Sequence, residues 1–268
     1  MIEIDPAFKA WLRGHQLSSW SRLAALVDTA HASRGSEVRV RRLTLGTGAG
    51  APGDVFFKLY LHRTPSWKYL ARHSKAACEF RNYRTFQQLG IPSPQPVAIG
   101  EKRDAIGRLQ SAFIITQAVP DAVTLGDYFD RPELSRQSLA ARQRRLALLA
   151  LLAGQVRTLH EHGFYHFDLV WRNLLVSGPG AGDPQVFWID CPRGAFCQVR
   201  FLQDRKALRD LGAFDKSASR HCTAGERLHF FRHYFDGQGR WTPEVKRGAR
   251  KVLDYWRTRW PEDWPESG

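Results

Sequence analysis

The apolar positions along the chain change period several times. Residues 1–32 read as helical, with Trp11, Leu12, Trp20, Leu23, Leu26 and Val27 on one face. From Glu37 to Leu45 the period shortens to two, with Val38 and Val40 set against arginines, which predicts a strand. Gly46 to Asp54 is a glycine-rich turn, and Val55 to Tyr60 is a second strand. A helix is expected after Pro65, clearest from His73 to Leu89 with Ala76, Phe80 and Tyr83 on one face; Gly90 and Pro92 stop it. Val97 to Gly100 and Ser111 to Thr116 read as two more strands. Beyond Thr124, which opens a capping-box-like Thr-Leu-Gly-Asp, the reading is mainly helical. Leu139, Leu146, Leu149, Ala153, Val156 and Leu159 mark a long buried helix ending near Gly163. Two short strands, Leu174 to Val176 and Val186 to Ile189, flank a turn at 178–184. Residues 200–262 are helical, broken at Asp236-Gly-Gln-Gly239. Strands with one helix, followed by helices, make this an α+β chain.

Composition narrows the picture. The 268 residues are 43% hydrophobic and 25% charged, enough for a core and against wholesale disorder. Forty Lys and Arg stand against 26 Asp and Glu, a net charge of +14 before histidine, so anionic partners are expected. No RNA- or DNA-binding motif is present, and nucleic acid is not an expected partner. Cys78, Cys191, Cys197 and Cys222 form no Cys-x-x-Cys pair and read as reduced thiols. The start, Met-Ile-Glu-Ile-Asp-Pro, lacks the basic and apolar regions of a signal peptide. The longest apolar run, Leu146 to Ala153, is far short of the about 20 residues that span a bilayer. A cytoplasmic protein is expected.

The chemistry concentrates in His166-Phe-Asp168-Leu-Val-Trp-Arg-Asn173, followed by Val186-Phe-Trp-Ile-Asp190. Phosphoryl transfer needs a carboxylate to orient a hydroxyl and oxygen ligands for a magnesium ion bridging the phosphates. Asp168 suits the first task; Asn173, five residues on, and Asp190, after a hairpin, suit the second. Asp and Asn also cap loops and turns, but that alternative does not account for several motifs in order. His160, His162 and His166 do not make a His-Glu-x-x-His zinc motif. Nor does Gly46 to Gly53 close as a Walker A loop.

The pattern resembles the protein-kinase catalytic loop, with Asp190 in the place of the Asp-Phe-Gly aspartate. More narrowly, the chain is similar to the bacterial lipopolysaccharide core kinases that phosphorylate Kdo or heptose. The matching features are the basic run Arg34 to Arg41, Phe-Phe-Lys58, Cys-Glu79-Phe-Arg-Asn-Tyr and Gly-Ile-Pro-Ser-Pro. They continue in His-Gly-Phe-Tyr-His166-Phe-Asp168-Leu, Trp-Ile-Asp190-Cys-Pro-Arg-Gly and Lys-Ala-Leu-Arg-Asp210-Leu.

The resemblance implies a protein-kinase-like two-lobed fold, residues 1–116 forming a small β lobe and 117–268 a helical lobe, with ATP and Mg2+ in the cleft. Lys58 would hold the α- and β-phosphates, Glu79 would pair with it, and the backbone near Gln117 to Val119 would bond adenine. Asp210 would accept backbone N–H bonds beneath the catalytic loop, and His166 would be structural. Arg172 and Arg193 are candidate phosphate or acceptor contacts. The implied partner is lipopolysaccharide core or another lipid-linked sugar acceptor, met at the anionic cytoplasmic face of the inner membrane.

Two departures stand out. No Gly-x-Gly-x-x-Gly precedes the lysine strand, which places the nucleotide-covering loop at Ser33 to Ser36 with Gly35 at its tip. Asp190-Cys-Pro replaces Asp-Phe-Gly, and no Ala-Pro-Glu follows. Two rival readings share these motifs: a small-molecule kinase of the aminoglycoside or choline type, and a non-catalytic scaffold. The C-terminal stripe Val245, Val252, Leu253, Trp256 and Trp260 fits an ordinary large-lobe helix or a membrane-surface helix.

Overall fold

The alternating runs pair into antiparallel sheet. A computed structural model describes residues 1–26, 37–70, 72–178 and 184–263. It divides into two compact units, the first made of residues 1–88, 93–119 and 190–193 and the second of residues 89–92, 120–189 and 194–268.

The first unit runs β1 (Ile2–Ile4), α1 (Pro6–Gly14), α2 (Trp20–Ala25), β2 (Glu37–Leu45), β3 (Gly53–Ser66), α3 (Lys75–Gln88), β4 (Pro96–Arg103) and β5 (Leu109–Gln117). Its five-stranded sheet has the order β1-β4-β5-β3-β2, every pairing antiparallel. The first residues depart from the helical expectation. Ile2-Glu-Ile4 pairs with β4 instead. Pro6 favours an extended residue before it, and Asp5 then caps α1, accepting the Ala7 N–H at 3.1 Å.

Alternation along β3 separates two faces. Val55, Phe57 and Leu59 point into a core with Phe8, Leu12, Leu23, Val97, Phe113 and Ile115. Lys58 and Tyr60 therefore share the opposite face, where both meet Glu79 of α3. The turn at 46–52 joins β2 to β3, with Leu45 opposite Gly53. The helix expected after Pro65 begins later. A 3-10 turn forms at Trp67–Tyr69, and Ser74 then caps α3 through the Ala77 N–H at 3.1 Å.

The second unit holds β6 (Val123–Thr124), α4 (Leu125–Phe129), α5 (Leu139–Glu161), β7 (Phe164–Tyr165), β8 (Leu174–Ser177), β9 (Gln185–Trp188), β10 (Ala195–Phe196), α6 (Arg200–Ala218), α7 (Ala224–Asp236) and α8 (Pro243–Arg259). Thr124 caps α4 through the Asp127 N–H at 3.2 Å. The long helix α5 buries Leu148, Leu149, Leu152, Val156 and Leu159. Leu139, read as part of that stripe, is exposed at its first turn. Gly163, with φ +73°, turns the chain out of α5 into β7. The apolar stripe of α8 is core, with Val245, Val252 and Trp256 fully buried and the helix packed on α6 and α7.

One ion pair holds α5 to α7. Arg145, 2% exposed, donates to Glu226 Oε1 at 2.5 Å, Phe129 O at 2.9 Å and His221 O at 2.6 Å. Glu226 also completes the α7 capping box with Thr223. Burial works against the ionised Glu226, but the bonds from Arg145 and Thr223 outweigh it and hold the carboxyl below its usual range. The sign follows from linkage: a depressed carboxylate stabilises the fold above its unfolded pKa, and that contribution is lost as pH falls through the folded value. Glu226→Gln is therefore expected to be less stable than wild type at neutral pH, and the gap should close on acidification. Urea unfolding from pH 7 to pH 3 measures it.

Candidate active site

The sequence-expected residues gather in two groups, one in each unit. In the first unit, Lys58 Nζ lies 3.2 Å from Glu79 Oε2 and 2.5 Å from Asp190 Oδ1. Glu79 is 3% exposed and accepts two further bonds, from Tyr60 Oη at 3.0 Å and Tyr83 Oη at 2.9 Å. Tyr83 Oη also accepts the backbone N–H of Asp190 at 3.1 Å, and Asn82 Nδ2 donates to Cys191 O at 2.7 Å. Asp190 has φ +53°, a left-handed conformation that aspartate tolerates better than most residues. Burial disfavours the charge on Lys58, yet Glu79 and Asp190 more than offset it and raise its pKa above the ordinary lysine value. The ammonium is thus secured in its charged form.

Sequence reasoning assigned no role to Tyr60, Tyr83 or Asn82. Two signals were available. Tyr60 is two residues from Lys58 on a strand, so both side chains lie on one face. Tyr83 is four residues from Glu79 on a helix, one turn away.

In the second unit, Asp168 is partly exposed, its side chain at 38%. Asn173 is buried and donates through Nδ2 to Asp168 O at 2.9 Å, which leaves its amide oxygen as an acceptor. The backbone of the loop hangs from α6. Asp210, 0% exposed, accepts the N–H of His166 at 2.6 Å and of Phe167 at 2.8 Å. Phe167 has φ +62°, a conformation that costs about 1–3 kcal/mol. The Asp210 bond and an Arg209 bond to Phe167 O at 3.1 Å hold it there. His166 is buried beside Trp188, their rings 5.9 Å apart. Ile189, immediately before Asp190, donates its N–H to Asn173 O at 2.9 Å.

The remaining expected residues are placed as follows. Arg172 is exposed, its Nη2 3.9 Å from Asp168 Oδ2, and Arg193 is exposed. Gln117 N–H is already donated to Gln95 O at 2.9 Å, and Ala118 N–H to Asp54 O at 2.8 Å. Of the two backbone positions expected to meet adenine, Val119 keeps its N–H unbonded among the described residues. Gly35 and Ser33 to Ser36 lie outside the described residues.

Each unit carries an oxygen donor of the kind magnesium takes. Among the described residues, no three His, Cys, Asp or Glu side chains form a metal cage. Magnesium asks for less, since it keeps several waters and takes one or two carboxylates plus phosphate oxygens. Asp190 and the Asn173 amide oxygen are donors of that hard type.

The model of the lipopolysaccharide kinase (Kdo/WaaP) family matches residues 58–234, which contain both groups. A solved structure described as WaaP in complex with acyl carrier protein superposes with a TM-score of 0.70 at 20% identity, covering 98% of this chain and 99% of that one. That likeness identifies the fold as protein-kinase-like. No curated protein sequence matches the chain. With more than half of its length matched by the family model, the chain belongs to the lipopolysaccharide kinase (Kdo/WaaP) family.

Proposed function

We propose that this kinase transfers the γ-phosphate of ATP to a hydroxyl of an inner-core sugar of lipopolysaccharide, heptose or Kdo. The observation that carries the reading is the ammonium of Lys58 held between Glu79 and Asp190. A lysine kept charged beside a carboxylate suited to a hard cation is what a nucleotide polyphosphate requires. Lys58 contacts the α- and β-phosphates, and Glu79 orients it. The Val119 N–H meets adenine. Asp190 and Asn173 would supply oxygen ligands to magnesium, which would neutralise phosphate charge. Asp168 accepts a hydrogen bond from the acceptor hydroxyl and directs it in line. Arg172 and Arg193 contact phosphate or acceptor. The first compact unit, which holds Lys58, Glu79, Val119 and Asp190, would serve the nucleotide, and the second, which holds Asp168 and Asn173, the acceptor. Catalysis is positioning and charge neutralisation.

No helix among the described residues is long and apolar enough to cross a membrane. We place the enzyme at the cytoplasmic face of the inner membrane as a peripheral protein. The acceptor class is tested by offering Mg-ATP with lipopolysaccharide core, with an aminoglycoside and with choline. Phosphate incorporated only into core supports the reading; incorporation into a soluble amine alcohol refutes the acceptor, and failure to bind ATP refutes the kinase.

A further inference from the structure

Just before and within the first turn of α6, the second unit exposes three large apolar side chains in sequence proximity: Phe196 at 55%, Val199 at 45% and Phe201 at 82% exposed. An isolated exposed apolar residue is unremarkable, but three within six residues form a patch that normally marks a contact surface. The patch is rigidly mounted. Phe196 lies in β10, paired with β7, its ring 5.3 Å from Phe164. Cys197 N–H bonds Gly163 O at 2.7 Å. Val199 is the residue preceding α6 and gives no side-chain cap, although caps are usually Ser, Thr, Asp or Asn.

Basic groups surround it. Arg200, Arg205 and Arg209 are exposed and Lys206 is partly so, against the single acid Asp204 among the exposed groups of this stretch. Arg200 and Arg205 have no carboxylate partner among the described residues. Aromatic tips amid unpaired arginines match the composition of surfaces that dip into a bilayer interface with anionic headgroups. A second copy of the chain is a poor occupant, since a self-complementary contact would set these cations against themselves. The patch also lies close to the chemistry. Lys206 and Arg209 sit over the ring of Phe167, at 5.5 and 5.2 Å from its centre, and Phe167 adjoins Asp168. Asp210 follows Phe201 by nine residues on α6, about 14 Å along the helix.

We infer that Phe196, Val199 and Phe201, with Arg200 and Arg205, form an anchor for an anionic lipid bilayer that sets Asp168 at sugar height above the membrane. Its functional meaning rests on the proposed lipid-linked acceptor; its existence does not. The test uses the full chain and vesicles free of lipopolysaccharide and ATP, so that failure of the anchor and failure of the kinase reading are distinguishable. Co-sedimentation with phosphatidylglycerol-containing vesicles and with pure phosphatidylcholine vesicles is compared for wild type, Val199→Ser/Phe201→Ser and Arg200→Ala/Arg205→Ala. Wild type should prefer the anionic vesicles, and each double variant should bind them at least tenfold less while keeping the wild-type melting temperature. Equal binding by wild type and variants, or no preference for anionic lipid, overturns the inference. So does a wild-type dimer, or a complex with acyl carrier protein, that the variants lose while their vesicle binding is unchanged: the patch would then belong to a protein partner.

Discussion

Asp168→Asn is expected to lower phosphate transfer by about 10²–10⁴-fold, the usual share of a positioned acid–base group, without loss of stability. Asp168 is partly exposed, and among the described residues its side chain has only long contacts, 3.5 Å to Asn173 Nδ2 and 3.9 Å to Arg172. No fold-bearing bond is lost with its charge. The backbone of the loop is held instead by Asp210. A steady-state assay with a melting curve separates the two roles. A slow but fully stable variant is expected, with nucleotide affinity close to wild type. A variant that melts early would show that Asp168 supports the loop.

The second large effect concerns stability. Arg145→Met should destabilise the protein by about 3–5 kcal/mol, because it leaves the carboxylate of Glu226 buried without its main partner. Adding Glu226→Leu should recover much of that loss, since replacing a whole buried pair by apolar groups is often close to neutral. Recovery will be incomplete. Phe129 O and His221 O also accept from Arg145, and Thr223 loses its capping partner. A double-mutant cycle by urea unfolding measures the coupling. A single variant as stable as wild type would mean that the pair contributes nothing.

The kinase order of elements was legible because each part carries a local signal. The period-two run of β2, the glycine after α5 and the Thr124 cap each dictate their element from neighbouring residues alone. The strand at Ile2–Ile4 was not legible, since three residues are too few to show a period and their pairing with β4 is non-local. The late start of α3 was missed because β3 continues to Ser66 with a register irregularity beyond Leu61. Lys58, Glu79, Asp168, Asn173, Asp190 and Asp210 could be proposed from motif order, and they fall in two groups, one in each unit. The tyrosines that bind Glu79 could not, because a phenol in a strand or helix reads as core until its hydroxyl finds a buried partner. Gln117 shows the opposite limit. A motif locates the stretch expected to meet adenine, but only the hydrogen-bond pattern reveals that the Gln117 N–H is already donated.

Lys58 and Asp190 are proposed to serve a magnesium nucleotide whose γ-phosphate goes to lipopolysaccharide core. The most direct measurement is magnesium-dependent transfer of labelled phosphate from ATP to purified core by wild type, Lys58→Met and Asp190→Ala. The expected result is labelled core with wild type, abolished by chelating magnesium and absent with either variant. Labelling that persists in both variants, or Mg-ATP that binds wild type and Lys58→Met equally, would contradict it.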